Sequence, residues 1–183
     1  MSGVLDQTGI LNVAFEAETY LVNPVSSYSW DFNGDGTPEI TGTELTALAQ
    51  YQFPGIYFPR VTVTDNQGNV YTETALVNVF SREEMDSLLS AKWGGMRTAM
   101  TNKDVEKAGS YFADWTKERY TGIFSALEDR LPQIAQEMQN IGMIYLIDRV
   151  AKYRIRRTEG AGEITYYIYF VRDENGLWKI QQF

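Results

Sequence analysis

The hydrophobic period of this chain changes once, at about residue 81, and that change limits what the chain can fold into. Before it, apolar residues come in short alternating runs at 10–18, 28–32, 45–53, 57–64 and 70–80. Gly, Pro, Asn and Asp punctuate these runs as NPVSS, NGDGTP, FPGI and DNQGN. Short strands at regular spacing, with turn signals between them, predict a β-sandwich. Pro59 falls inside one run and removes a ladder donor, so that end is expected at an edge or a bulge. After the change, Met85, Leu88, Leu89, Lys92, Trp93 and Met96 recur at helical spacing. Ser81 and Glu84 have the spacing of a capping box, and acids fill the first turn.

Charge divides at the same place. Residues 1–81 hold nine acids and one base, Arg60, whereas the remainder holds fifteen of each, so the first part carries the whole net charge of −8. Two modules are therefore expected, 1–81 and 82–183. A binder of phosphate backbones needs the opposite sign, so nucleic acid is not an expected partner. The chain has no Cys and no His. That excludes cysteine nucleophiles, disulfides, Cys/His zinc sites, haem on a His or Cys ligand and every His-based triad. No run approaches the roughly 20 apolar residues of a membrane-spanning helix, and residues 1–7 do not read as a signal peptide.

In the second module, Gly94-Gly95 weakens the opening helix by about 1 kcal/mol per glycine relative to alanine. Asn102 or Asp104 would start a second helix through Phe112, residues 117–131 form a third, and Pro132 suits the first turn of a fourth over 132–140. Strand residues return at 144–157, 163–172 and 177–183, with turns at EGAG (159–162) and DENG (173–176). Helices followed by an antiparallel sheet make an α+β module. A turn at EGAG pairs Thr158 with Glu163. Tyr153, Ile155, Ile164, Tyr166, Ile168 and Phe170 then share one face, and Lys152, Arg154, Arg156, Thr165, Tyr167 and Tyr169 the other. Strict alternation beyond DENG adds Trp178, Ile180 and Gln182 to the apolar face, expected to lie against Trp93, Phe112, Tyr120, Phe124 and Leu127.

Three segments of the first module, YSWDF with GDG (28–32 and 34–36), FPGIY (53–57) and VTVTDNQGN (61–69), stand in the order and spacing of a known pattern. On them, about residues 8–80 resemble the PKD family of immunoglobulin-like domains, with one extra residue in the turn and Pro59 as departures. The resemblance implies a sandwich with Trp30 as a core plug and Tyr57 as a corner tyrosine bonding back to nearby backbone. The family's first strand looks clipped here, an expectation of a fragment cut from a larger protein. In the second module, the ending VRDENGLWKI (171–180) and the helical run from Trp93 to Phe112 resemble the NTF2-like (cystatin-like) α+β family, over about residues 83–183. That resemblance implies a cone of helices packed on an antiparallel sheet. Catalytic relatives hold His and Asp in the cone, and this chain has no His.

Three sets of residues are candidates for function. Asp31, Asn33, Asp35 and Glu39 place oxygen atoms at the alternation of a calcium loop, although the twelfth position counted from Asp31 is Gly42 and not Glu. The other reading of this turn is a glycine-rich turn closed by Asx hydrogen bonds. Tyr153, Tyr166 and Gln182 would line a small pocket on the inner face of the sheet, or Gln182 would be a satisfied polar group at a sheet end. Lys152, Arg154, Arg156, Tyr167 and Tyr169 would form a surface patch for anionic or sugar ligands, or a solvated face whose long stems shield the aromatics. Glu128, Asp129, Glu137 and Asp148 are the carboxylates available for acid/base work, and the sequence brings no pair of them together.

The expectation is a non-catalytic spacer or adhesion module of a larger bacterial surface or secreted protein, contacting protein or carbohydrate, with no cofactor unless calcium binds the acidic turn. An extracellular or cell-surface location follows from the family resemblance alone. The alternative is a small-molecule carrier or enzyme with its pocket in the C-terminal cone. A cone filled by Trp178, Phe170 and Tyr166 would count against that alternative.

Overall fold

The structure, a computed structural model, describes residues 1–6, 8–147, 149–159 and 162–183, with backbone alone at 158 and 159. Gly160 and Ala161 of the expected EGAG turn, and Asp148, lie outside the described residues. The chain divides into two compact units, Met1–Arg82 and Glu83–Phe183. The first is built of strands and the second of helices followed by strands. Among the described residues no helix is long and apolar enough to cross a membrane.

The first unit contains β1 (Ser2–Val4), β2 (Leu11–Glu16), β3 (Val25–Asp31), β4 (Ile40–Gly42), β5 (Thr46–Tyr51), β6 (Gly55–Tyr57), β7 (Arg60–Asp65), β8 (Val70–Thr74) and β9 (Val77–Phe80). They form a four-stranded sheet in the order β4-β3-β7-β8, a pair β2-β5, and a three-stranded sheet β1-β9-β6. The pair lies over the larger sheet, where Phe15 and Ala47 pack on Tyr28, Trp30 and Val63. A second cluster joins Val13, Ala49 and Tyr51 of the pair to Val77 and Val79 of β9.

Period-two runs located most of these strands but not their breaks. The run at 57–64 is two strands in different sheets, divided at Pro59, whose carbonyl accepts from the Ala75 amide at 2.9 Å. The run at 70–80 also divides. β8 is exposed throughout, whereas β9 crosses to the other sheet and buries Val77 and Val79. The segment that looked like a clipped first strand is β1, which pairs in parallel with β9 through Ser2↔Asn78 and Val4↔Phe80. Strands of three residues carry too little alternation to be read from a pattern, which is why β4 and β6 were not foreseen.

In the second unit α1 (Arg82–Thr101) begins in the last residue of the first unit and runs through Gly94-Gly95 without a break. It buries Met85, Leu89, Trp93, Met96, Ala99 and Met100 along one face. Gly95 has a positive role, because a Cβ there would collide with the Tyr111 hydroxyl, so glycine lets a phenol lie against the helix. Asp104 caps α2 (Val105–Ser110) by accepting from the Lys107 amide at 3.0 Å. α3 (Asp114–Ala126), a 3-10 turn (Glu128–Arg130) and α4 (Leu131–Glu137), with Pro132 in its first turn, follow.

The sheet is an antiparallel meander of β10 (Gly142–Ile147), β11 (Val150–Glu159), β12 (Gly162–Arg172) and β13 (Trp178–Gln182). The expected register holds at Thr158↔Glu163, Arg156↔Thr165, Arg154↔Tyr167 and Lys152↔Tyr169. The expected single strand 144–157 is instead a hairpin, closed where Ile147 pairs with Val150. The core is aromatic. Phe112 stacks on Tyr120 at 4.0 Å and meets Phe124 and Phe183, while Tyr153 meets Phe170 edge-on at 5.4 Å. Trp93, Phe112, Tyr153, Phe170 and Ile180 are fully buried, and Leu127 only half-buried.

Candidate functional site

Both edge strands of the second unit's sheet carry a β-bulge, and the two bulges together assemble one row of side chains on its outer face. In β10, Met143 pairs with Tyr153 and Tyr145 with Lys152, leaving Ile144 as the extra residue. In β13, Ile180 pairs with Phe170 and Gln182 with Tyr169, leaving Gln181 extra. Directly paired residues of an antiparallel ladder point to the same side. Tyr145, Lys152, Tyr169 and Gln182 therefore form a line across all four strands, with Arg154 and Tyr167 as the next pair along. Three strand spacings make this line about 14 Å long, the reach of a short oligosaccharide.

The bulges exist because each edge strand places two apolar residues inward three positions apart. Met143 and Leu146 both face inward in β10. At the other edge Ile180 is inward and Phe183, just beyond β13, packs on Trp93 at 5.2 Å, on Tyr120 at 5.4 Å and on Phe112 at 5.9 Å. The Phe183 amide donates to the Tyr120 hydroxyl at 3.1 Å, which donates in turn to the Phe183 carbonyl at 3.2 Å. Fully burying a phenylalanine is worth roughly 1.5–3 kcal/mol, whereas burying an amide without partners costs about 1–3 kcal/mol on mutational scales. The extra residue exchanges the second outcome for a share of the first.

This corrects the placement of Gln182. Strict alternation put it on the inner face with Tyr153 and Tyr166; the bulge puts it outside, exposed, opposite Tyr169. Tyr153 is fully buried in the core, and Tyr166 lies 45% exposed towards the hairpin end. The structure does not bring these three into one pocket. Trp93, Phe112, Tyr153, Phe170 and Trp178 are buried in the second unit, whereas Tyr166 is not.

The surface patch is brought together. The Lys152 ammonium lies 4.0 Å from the centroid of the Tyr167 ring and 5.3 Å from that of Tyr169. A hydrogen bond to the Tyr169 side chain, aided by Coulombic attraction to Tyr169, Tyr167 and Tyr145, raises the Lys152 pKa above its usual 10.5. Lys152 is thus a cation held between two phenols, one of which, Tyr167, is 46% exposed. Arg154 and Arg156 are exposed beside it, and Arg156 reaches Glu163 at 3.4 Å. Sequence reasoning missed Tyr145 and misplaced Gln182, since alternation carries no sign of a bulge until the partner strand is known.

The acidic turn of the first unit directs its oxygens at its own backbone. Asp31 is buried, its Oδ1 accepting from the Gly34 amide at 2.6 Å and its Oδ2 from the Gly36 amide at 2.8 Å. Both glycines have positive φ, of 79° and 93°, which presents those amides to the carboxylate. Asn33 Oδ1 accepts from the Asp35 amide at 2.7 Å and Asp35 Oδ1 from the Thr37 amide at 2.8 Å. Glu39 takes the Phe32 amide at 2.6 Å and the Asn33 side-chain amide at 2.7 Å. Asn33 and Asp35 thus close Asx turns, Asp31 gathers two glycine amides and Glu39 bonds back to Phe32 and Asn33, and among the described residues no three acidic side chains converge on a metal-holding point.

Sequence reasoning assigned no role to Asp65, the other buried carboxylate. It accepts from the amides of Gln67 and Asn69 at 2.9 and 2.8 Å, and from the side chains of Asn69 and Asn23 at 2.8 and 2.9 Å. These donors, Asn69 foremost, hold its pKa down at about 2. The corner expectation for Tyr57 is met, its hydroxyl donating to the Phe53 carbonyl at 2.9 Å. Tyr51, its ring tilted against that of Tyr57 with centroids 4.5 Å apart, donates to the Phe32 carbonyl at 3.0 Å. Burial, with the charge of Glu39 nearby, pushes the Tyr51 pKa up to about 12. No family model matches the chain, and no curated protein matches it.

Proposed function

We propose that the chain is a non-catalytic contact module of a larger surface or secreted protein, and that the outer sheet face of its second unit binds carbohydrate. In this reading the first unit is an immunoglobulin-like sandwich serving as spacer, and the second an NTF2-like arrangement of helices on a sheet. The observation that carries the binding role is the row Tyr145–Lys152–Tyr169–Gln182, assembled by a bulge at each edge with Lys152 seated over Tyr167. Bulges are commonly the device that re-aims a side chain at a functional site. Tyrosine rings offer flat surfaces to sugar rings, an amide offers hydrogen bonds to hydroxyls, and the cations suit sugars that bear carboxylates.

Two observations favour binding over catalysis. Trp93, Phe112, Tyr153 and Phe170 are fully buried inside the second unit, where a reaction pocket would need open space lined by polar groups. Among the described residues the carboxylates with shifted pKa values, Asp6, Asp65 and Asp129, are all shifted downwards, whereas a general acid at neutral pH needs the opposite.

The test is binding of the intact chain to alginate, a polyuronate, and to a neutral glucan, by calorimetry or affinity electrophoresis. Binding to alginate that falls about ten-fold in Lys152→Gln and in Tyr167→Ala, one lost contact of roughly 1.4 kcal/mol each, is the expected result. Lys152 stays charged through the neutral range, so binding should be flat between pH 6 and 9. Failure to bind either polymer, or variants that bind like the parent, would overturn the reading.

A further inference from the structure

A second surface, on the first unit, has a different chemistry. β8 is the outermost strand of the sheet β4-β3-β7-β8, and all five of its residues are exposed. Beside it lies an open groove of about 270 Å³. Its apolar lining includes Leu21, Val61 and Val63, which also belong to the cluster around Trp30. Phe15 and Ala47 of the pair β2-β5 pack on Tyr28, Trp30 and Val63 of the sheet, and Val61 and Val63 line the groove together with Tyr71. Val61 pairs with Glu73 and Val63 with Tyr71, so Tyr71 and Glu73 are the β8 residues on the groove side. Glu16 and Glu18 join Glu73 in the lining, and no lining residue is basic.

We propose that this groove takes an extended, basic peptide segment of a partner protein, added as a further strand on the free edge of β8. A strand there hydrogen-bonds to the open backbone edge and places alternate side chains beside Tyr71 and Glu73. Lysine or arginine at those alternate positions meets both demands of the site. The aliphatic stem lies along Leu21, Val61 and Val63, and the charged head reaches Glu16, Glu18 and Glu73. Tyr71 offers a ring face to the same cation. Charge supports the choice of partner, since the unit carries nine acids, and the two arginines within its span, Arg60 and Arg82, do not line the groove. The proposal concerns a surface other than the carbohydrate face, so either stands if the other fails.

The experiment is an NMR titration of the intact chain with a short peptide alternating valine and lysine. Amide shifts confined to Val70–Thr74 and to the groove lining are expected. Affinity should fall about ten-fold or more in E16Q/E18Q/E73Q, three exposed residues of the groove lining, and the melting temperature should match the parent. The same peptide N-methylated at alternate residues, which cannot pair with a strand edge, should lose binding to the parent protein without any change to that protein. Spermine supplies the charge without the backbone and should bind far more weakly. The proposal is overturned by absence of binding, by shifts elsewhere, by a triple variant that binds like the parent, or by spermine or the N-methylated peptide binding as tightly as the first.

Discussion

The two units satisfy their charged groups in different ways. In the first, Asp31 and Asp65 are the only buried charged side chains among the described residues, and neither is paired with a cation. Amide N–H groups surround them instead, two on Asp31 and four on Asp65. In the second unit exposed charges meet as ion pairs, Lys103–Asp129 at 2.7 Å and Arg157–Glu137 at 3.4 Å, and the core is one of aromatic contacts, stacked at Phe112–Tyr120 and edge-on at Tyr153–Phe170. A strongly acidic composition therefore has a structural use in the first unit. Carboxylates bind the turns together by gathering backbone donors, which a cation could not do.

The sharpest break of the comparison is a core truncation on each side. Trp30→Ala in the first unit and Phe112→Ala in the second should each cost about 3–5 kcal/mol, read by denaturant unfolding with unit-specific amide signals. A cost below about 1 kcal/mol at Trp30 would mean that the first unit rests on its turns rather than its core.

Next in size is Asp65. Asp65→Ala leaves four donors without an acceptor and should lower the melting temperature of the first unit by roughly 10 °C. The pH dependence has a definite sign. The folded pKa is near 2 against a usual 3.8, so the contribution is complete above pH 4 and is lost as pH falls from about 4 through 2. Asp65→Asn should flatten that acid limb. At the alkaline end Tyr51 works oppositely. Its folded pKa of about 12 lies above the usual 10, so stability falls as pH rises from 10 to 12, and Tyr51→Phe should remove that decline.

Adjacent glycines of α1 give a smaller pair of effects with opposite signs. Nothing lies within 4 Å of a Cβ at Gly94, so Gly94→Ala should stabilise by up to about 1 kcal/mol. Gly95→Ala gains the same propensity but must displace Tyr111, and should destabilise by about 1 kcal/mol net. Tyr111→Phe should relieve most of that cost, since the hydroxyl is the nearest atom. The smallest effect belongs to the exposed pairs of the second unit. Arg156→Gln, which removes the contact with Glu163 at 3.4 Å, should leave the melting temperature unchanged within about 1 °C.

The patch Lys152, Arg154, Arg156, Tyr167 and Tyr169 was legible in the sequence because one turn position and a period of two determine the ladder between β11 and β12. The proposed pocket was not, because it required alternation to hold across a second hairpin. The acidic turn was legible as a choice between two readings, and its hydrogen bonds include Asx turns at Asn33 and Asp35. Asp65 looked like an ordinary turn residue, since Asn23, one of its four donors, comes from 42 residues away.

The amino-acid sequence by itself determined whatever depends on neighbours along the chain. The change of period at 81, the caps and turns, the buried stripe of α1 and the hairpin register of β11 and β12 all follow from local pattern. Tertiary structure decided which face the edge residues occupy. Met143 and Leu146 both had to reach the same core, as did Ile180 and Phe183, and three-residue spacing in a two-residue period forces an extra residue into each strand. The core behind the sheet, built from helices distant in sequence, set that demand, and it turned Tyr145 and Gln182 outward beside Lys152.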